Sequence, residues 1–438
     1  MEVREPSARY VRATHQTDVG ELPADWSCSS LGEVADILTG FPFPSDGYSA
    51  SGVRLLRGSN VKRDQIEWRD DLTMYWPEVT GEIRKYALKA GDVVIAMDGS
   101  LVGRSFGALS KHDVPALLLQ RVARVRSSEV DVSYLKHWIC SERFTAHSDA
   151  VKTTTAIPHI SPGDIRSFKV ALPPTTTEQQ QIGQALSDAD ALIDWLEQLL
   201  TKKRQIKQGA MQELLTGKRR LPGFEGAWTD GVLGDVVAEL VAGVSVNSDP
   251  TESGAGVPSV VKTSALKGGV FDPSERKPII QADLARATTP LRHDTLLISR
   301  MNTPDLVGEV GYVDRAYDWL YLPDRIWMTR MRSSDCVCVR WLGHLLSSAP
   351  YKRLIGDTAT GTSGSMKNIA KSALLSLPLR FPEVDEQRAI AEGLADMDAE
   401  ITALAARLTK ARALKQAMAQ ALLTGRIRIP LDPQEPTA

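Results

Sequence analysis

The segment GDTATGTSGSMK, residues 356–367, sets Gly356 and Gly361 at the interval of a phosphate-cradling loop. Thr362 stands where such a loop needs the lysine that reaches the phosphates. In DPSERK, residues 272–277, Asp272, Glu275 and Lys277 form an acid, acid, lysine set of nuclease type. Three such residues in a polar turn read more simply as a solvated loop. Cys28, Cys140, Cys336 and Cys338 lack zinc-type pairing, and the Cys336-Val-Cys338 spacing reads as strand. The chain contains no His-Glu-x-x-His and no glycine-rich dinucleotide fingerprint. Its residues therefore suggest neither a catalytic set nor a metal site.

What remains is binding chemistry. Arg104 follows GSLVG, and Arg300 and Asn302 lie in SRMNTPD, a related stretch. Lys152, Thr153, Thr154 and His159 lie in KTTTAIPH; Thr362, Ser363, Lys367 and Asn368 lie in TGTSGSMKN, at the corresponding place. Such side chains can reach base edges and phosphates, and the small residues allow close backbone approach. A plain surface loop is the competing reading for each. Arg124 and Arg126 alternate on an expected strand and read as a solvated face.

The elements that would position these loops come in two copies. Residues 178–222 match residues 386–430 at a constant offset of 208, with close to half the positions identical. In the first copy Ile182, Leu186, Ala189, Ile193, Leu196 and Leu200 step by fours and threes. Ile390, Leu394, Met397, Ile401, Leu404, Leu408 and Ala411 repeat the steps in the second. That is a coiled-coil seam. Pro173, Pro174 and Pro382 precede the copies, and Gly217 and Gly425 follow the last leucines, so each copy predicts one helix of about 35–38 residues. A seam so narrow is buried most economically if the two copies pack on each other; the alternative is that each helix packs on its own domain. Lys202, Lys203, Arg204, Lys207, Lys218, Arg219 and Arg220 close the first copy, and Lys410, Arg412, Lys415, Arg426 and Arg428 the second. Cations near a helix C-terminus favour the dipole, and subunit or phosphate contact is the other reading.

Fainter similarity links the rest: WSCSSLGEV with WTDGVLGDV, the shared LVG at 101–103 and 306–308, RVRSS with RMRSS, and YLKHWICS with WLGHLLSS. His137 and His344 fall at matching places, which suggests a shared structural role. Short Val, Ile and Leu runs punctuated by Gly, Pro, Asp and Ser predict strands, with one or two short helices near Tyr134 and Trp341. The fold class is α+β: two similar globular domains, residues 1–176 and 223–383, each followed by a long helical segment, residues 177–222 and 384–430, with a tail at 431–438. A chain of 438 residues with net charge -2 is no global polycation, and no stretch is apolar enough to span a membrane. A cytoplasmic protein with reduced thiols is expected.

A variable domain written twice, each copy ending in a near-identical helix that opens on Glu-Gln and closes on LLTG plus basic residues, resembles the specificity subunit of type I restriction-modification enzymes. LPPTTTEQQQIGQALSDADALI and FPEVDEQRAIAEGLADMDAEI carry the resemblance. It implies that each domain reads one half of a split, asymmetric target in double-stranded DNA. It also implies that the helices form an antiparallel coiled coil that sets the spacing and docks two methyltransferase subunits, with restriction subunits as further partners. No cofactor is then expected on this chain; S-adenosylmethionine, ATP and magnesium belong to those partners. Three other readings stay open: the specificity module of another modification system, a coiled-coil adaptor that never touches DNA, and a nuclease using Asp272, Glu275 and Lys277.

Overall fold

The computed structural model describes residues 13–249, 254, 256–333, 336–361 and 366–429. The chain divides into two compact units, residues 1–197 with 407–438, and residues 198–406. Each unit contains one α+β domain, the opening half of one long helix and the closing half of the other.

The long helices run Thr176–Leu214 and Val384–Leu422, 39 residues each, so about 58 Å at 1.5 Å per residue. They stop eight residues before the sequence repeat does, because Gly217 and Gly425 take left-handed backbone with φ of 70° and 66°. Each glycine also lies against a tryptophan ring, Trp228 in one unit and Trp26 in the other.

The two domains share one topology. In the first, an antiparallel sheet orders strands Asp36–Thr39, Val122–Arg126, Val93–Ala96 and Phe106–Ala108. In the second, the same order runs Val237–Ala242, Ile326–Met331, Thr295–Ser299 and Val310–Val313, then continues into Gly269–Phe271 and Leu266–Lys267. A smaller sheet joins Met74–Trp76, Val53–Leu56 and Ala116–Leu118, the last two parallel. Arg276–Pro278, Ser259–Val261 and Tyr317–Tyr321 repeat it, again with a parallel pair. Helix pairs Val132–Ile139 with Glu142–Val151, and Val339–Leu346 with Ala349–Thr358, complete the correspondence. Cys338 caps the latter pair and Cys336 sits in a turn, so the expected strand there does not form.

The seam residues divide into two groups. Ile182 and Leu186 are fully buried in the first domain's core with Tyr134, Trp138 and Phe144, and Leu422 and Leu423 join them there. Ile390 and Leu394 occupy the equivalent place with Trp341 and Leu342. The leading turns of each seam thus pack on the helix's own domain, since an apolar domain face lies there. Farther along, Leu196, Leu200 and Leu408 are buried, while Ala189, Ile193, Met397, Ile401, Leu404 and Ala411 are half-buried.

The basic clusters serve neither the helix dipole nor, in the main, solvent. In the first unit Arg428 forks onto Glu178 at 2.5 and 2.6 Å, Lys415 pairs with Asp190, and Arg412 meets Glu197 at 2.6 Å. In the second, Arg220 forks onto Glu386 at 2.5 and 2.6 Å, Lys207 meets Asp398 at 2.5 Å, and Lys203 meets Glu400 at 2.6 Å. Partner numbers fall as helix numbers rise, so the helices are antiparallel within each unit. Lys202, Arg204, Lys218, Lys410 and Arg426 stay exposed, and Arg219 reaches Glu213 at 3.5 Å. Glu178 and Glu386 are each 1% exposed, and a carboxylate so buried requires its guanidinium. The neighbouring glutamines tie helix to domain. Gln179 accepts the Asp131 amide at 3.0 Å, and Gln387 accepts the Cys338 amide at 2.8 Å. Both amides open a domain helix.

His137 and His344 lie beside these ion pairs. His137 Nε2 lies 3.2 Å from the Gly183 carbonyl and 3.1 Å from Ser187 Oγ, while His344 Nε2 has no partner among the described residues. Burial, then Lys136, pushes His137 down to about 4; Lys415 opposes its charging, and Asp190 and Asp64 favour it. Burial, then Lys207, does the same to His344, with Arg340 adding to it and Asp398 opposing.

Two outcomes follow from this packing. Leu186→Ala and Leu394→Ala are each expected to cost about 2–5 kcal/mol in urea melts, while Leu192→Ala, at a 42% exposed helix position, stays within about 0.5 kcal/mol. Both histidines have folded pKa values below the unfolded one, so their contribution is complete above about pH 6.5 and lost as pH falls toward 4. His137→Gln with His344→Gln should flatten the loss of urea midpoint over that window, about 3 kcal/mol per histidine; an unchanged slope would contradict the assignment.

Candidate nucleic-acid interface

In each domain the two sequence-predicted groups of loop residues come together beyond the strand at the centre of the main sheet. In the first, residues 97–104 follow Val93–Ala96 and lie against residues 152–160. Asp98 bridges His159, the Gly99 amide donates to the Pro158 carbonyl at 3.0 Å, and Ile160 donates to Met97 at 2.9 Å. Thr153 holds His159 twice, its Oγ1 lying 2.9 Å from Nδ1 and accepting the His159 amide at 3.0 Å. Thr154 is exposed. Arg104 forks onto Asp149 at 3.0 and 2.6 Å, and Lys152 reaches the same carboxylate at 2.6 Å. Those hydrogen bonds, the one from Arg104 first, hold Asp149 well below the usual carboxylate range. The two cations are thereby oriented but partly neutralised.

In the second domain, residues 300–309 follow Thr295–Ser299. Met301 pairs with Asn368 and Asn302 with Lys367, while Thr360 pairs with Asn368 from the other side. The Arg300 guanidinium lies over the Trp327 ring at 5.6 Å. Arg300 Nε and Asn368 Oδ1 are buried without a hydrogen-bond partner among the described residues. Asn302 Nδ2 donates to Ser299 Oγ at 3.3 Å, and Lys367 Nζ to the Gly361 carbonyl at 3.4 Å. Thr362 and Ser363 lie outside the described residues.

The related loops do not carry related charges. Gly103 and Gly308 correspond, so Arg104 matches Glu309, an acid paired with Lys352; Arg300 matches Met97 by its backbone bonds, each carbonyl accepting an isoleucine amide, Ile369 and Ile160. The same scaffold therefore presents different donors and acceptors.

Two further arginines belong to these sites and carry no sequence motif. The Arg121 carbonyl accepts the Met97 amide at 2.9 Å, and the Arg325 carbonyl accepts the Arg300 amide at 3.0 Å. Both side chains are exposed, and Arg121 adopts φ 74°, a strained setting for a non-glycine residue. Each sits immediately before a core strand, QRVARV and DRIWMT, which is the only sequence signal for them.

Other sequence candidates resolve structurally. Arg124 is 4% exposed and pairs with Asp36, and Arg126 forks onto Asp92 at 2.6 and 2.7 Å, so their strand face is not solvated. Asp272 caps a turn through Ser274, and Glu275 binds Ser264 and Lys262, as befits a surface turn. Among the described residues, no His, Cys, Asp and Glu grouping could hold a metal ion, and no helix is long and apolar enough to cross a membrane.

Residues 23–208 match the family described as Type I restriction modification DNA specificity domain. The type I restriction enzyme MjaVIII specificity subunit of Methanocaldococcus jannaschii is 31% identical over 47% of this chain and 49% of its own length. The EcoAI specificity subunit of Escherichia coli is 32% identical over 40% of this chain and 29% of its own. These matches cover less than half of this chain, and over them it is similar to type I restriction specificity subunits. In these two alignments it spans about half or less of its relatives' length. The putative MjaX specificity subunit of M. jannaschii aligns over 94% of this chain and 96% of its own at 21% identity. The type I S subunit of M. genitalium shares the fold, with a TM-score of 0.61 at 12% identity over 91% of this chain and 96% of that one. A second solved structure, from work on assembly and conformational transition of a type I system, gives 0.52 at 17% over 93% and 99%. Across its two halves this chain keeps its helical repeats alike while its two loop sites diverge.

Proposed function

We propose that this chain is the non-catalytic DNA-recognition subunit of a type I restriction-modification complex, each domain reading one half of a bipartite, asymmetric target. The observation that carries this is the pair of matched loop sites. Each has the same backbone pairing, an exposed arginine at the same place and a different set of polar side chains. Arg104, Lys152, Thr153, Thr154 and His159 would serve one half-site, with Arg121. Arg300, Asn302, Thr362, Ser363, Lys367 and Asn368 would serve the other, with Arg325. Arginine and lysine suit guanine and phosphate, and asparagine suits adenine.

The helices would set the gap between half-sites and dock two methyltransferase subunits. Support comes from exposed apolar side chains on them: Leu192, Trp195 and Leu414 in the first unit and Ile206 in the second, the last two matched across the repeat. S-adenosylmethionine would be bound by those partners, and ATP and magnesium by restriction subunits that join them.

Exchanging residues 1–175 for the first domain of another specificity subunit, with methyltransferase partners present, should change one half of the methylated motif and leave the other half and the gap intact. Altered bases in both halves would contradict the division of labour. Inserting about four residues in the first helix, roughly 6 Å of rise, should change only the gap. Arg121→Ala and Arg325→Ala should each weaken binding to specific and random duplexes alike and lower the slope of log affinity against log salt by about one.

A further inference from the structure

The tripeptide Leu-Val-Gly occurs at 101–103 and again at 306–308, in domains that otherwise share little sequence. Packing accounts for two of its three residues. Val102 and Val307 are 1% and 8% exposed, parts of the two cores. Gly103 and Gly308 have φ of 77° and 80°, and a Cβ on either would collide with Ser148 or Ile355 of the helix beside it. Packing gives no role to the leucine. Leu101 is 58% exposed and Leu306 40%. One exposed leucine is ordinary on a protein surface. The same leucine, at the same place in two diverged loops, calls for a shared use.

The loops hold these side chains outward on firm backbone. The Leu101 carbonyl accepts the Arg104 amide at 2.9 Å, and the Val102 amide donates to Gly99 at 3.1 Å. In the other domain the Leu306 amide donates to Thr303 at 3.0 Å and its carbonyl accepts the Glu309 amide at 3.3 Å. The segment paired with this loop through the Gly99 amide carries exposed Ile157, and Arg121, 60% exposed at its side chain, reaches Asp98 of the loop at 3.9 Å. An apolar tip on a loop that also carries cations and hydroxyls suits a surface of aromatic bases flanked by phosphates. A protein partner would need a wider apolar patch.

We propose that Leu101 and Leu306 are wedges, each entering the base stack of one half-site and partly unstacking a step there. Leucine is among the side chains suited to this, since its insertion replaces base stacking with apolar contact. The proposal rests on the DNA-recognition reading above. Unstacking a step beside the base to be modified would lower the cost of extruding that base into a partner's active site.

The test uses the full chain with its methyltransferase partners and a duplex carrying the motif methylated in the host. 2-Aminopurine replaces one base at a time through both half-sites. Wild type should raise fluorescence several-fold at one step in each half-site, apart from the methylated base. Leu101→Ala should remove the rise in one half-site only, Leu306→Ala in the other, and Leu101→Met should retain it; all three should melt with wild type. Tight binding with no rise beyond the methylated base, or a rise that survives in both alanine variants, overturns the wedge. Failure of wild type to prefer the motif over random duplex overturns the wedge together with the reading beneath it.

Discussion

A carboxylate 1% exposed cannot stay charged without a partner, and that constraint organises both halves of this protein. Glu178 opens the first long helix and takes Arg428 from the turn that ends the second; Glu386 opens the second and takes Arg220 from the turn that ends the first. Each domain is thereby closed by a chain segment that arrives from the other half of the sequence. The glutamine beside each glutamate ties the same turn to a domain helix, so a two-residue motif holds domain, helix start and helix end together. Asp190 with Lys415, and Asp398 with Lys207, repeat the arrangement one level further along.

Much of this was legible in the sequence. The stepping of Ile182, Leu186 and their counterparts marked the helices, and Gly217 and Gly425 marked their ends, because backbone geometry there depends on local residue type. The acids that pair with the basic clusters were hidden by distance: Arg220 lies 166 positions from Glu386, and Arg428 lies 250 from Glu178. The leading seam residues looked like coiled coil but serve domain cores, since periodicity reports a buried face without saying what buries it. Arg124 looked solvated because a strand's second face can be covered by elements that alternation does not reveal.

The candidate sites divide in the same way. Glycines and small hydroxylated residues marked both loop groups, but not their pairing across the sheet end, which depends on strand order. Arg121 and Arg325 escaped notice because they act through position: each carbonyl holds the opposite loop while the side chain faces out. Glu309, which holds Lys352, stands where the other domain has Arg104, held by Asp149. Each loop is tied by an ion pair to the helix beside it, with opposite loop charge and from helix positions that do not correspond, so the scaffold survives while the surface it offers to a ligand changes. Two copies of one fold then offer two different surfaces.

The most direct test of that account is single-molecule sequencing of host DNA with and without this gene, every methyltransferase gene left intact. The account predicts a split methylated motif with a fixed unspecified gap, present with the gene and lost without it. Methylation unchanged by the deletion, in cells shown to make the protein, would contradict it.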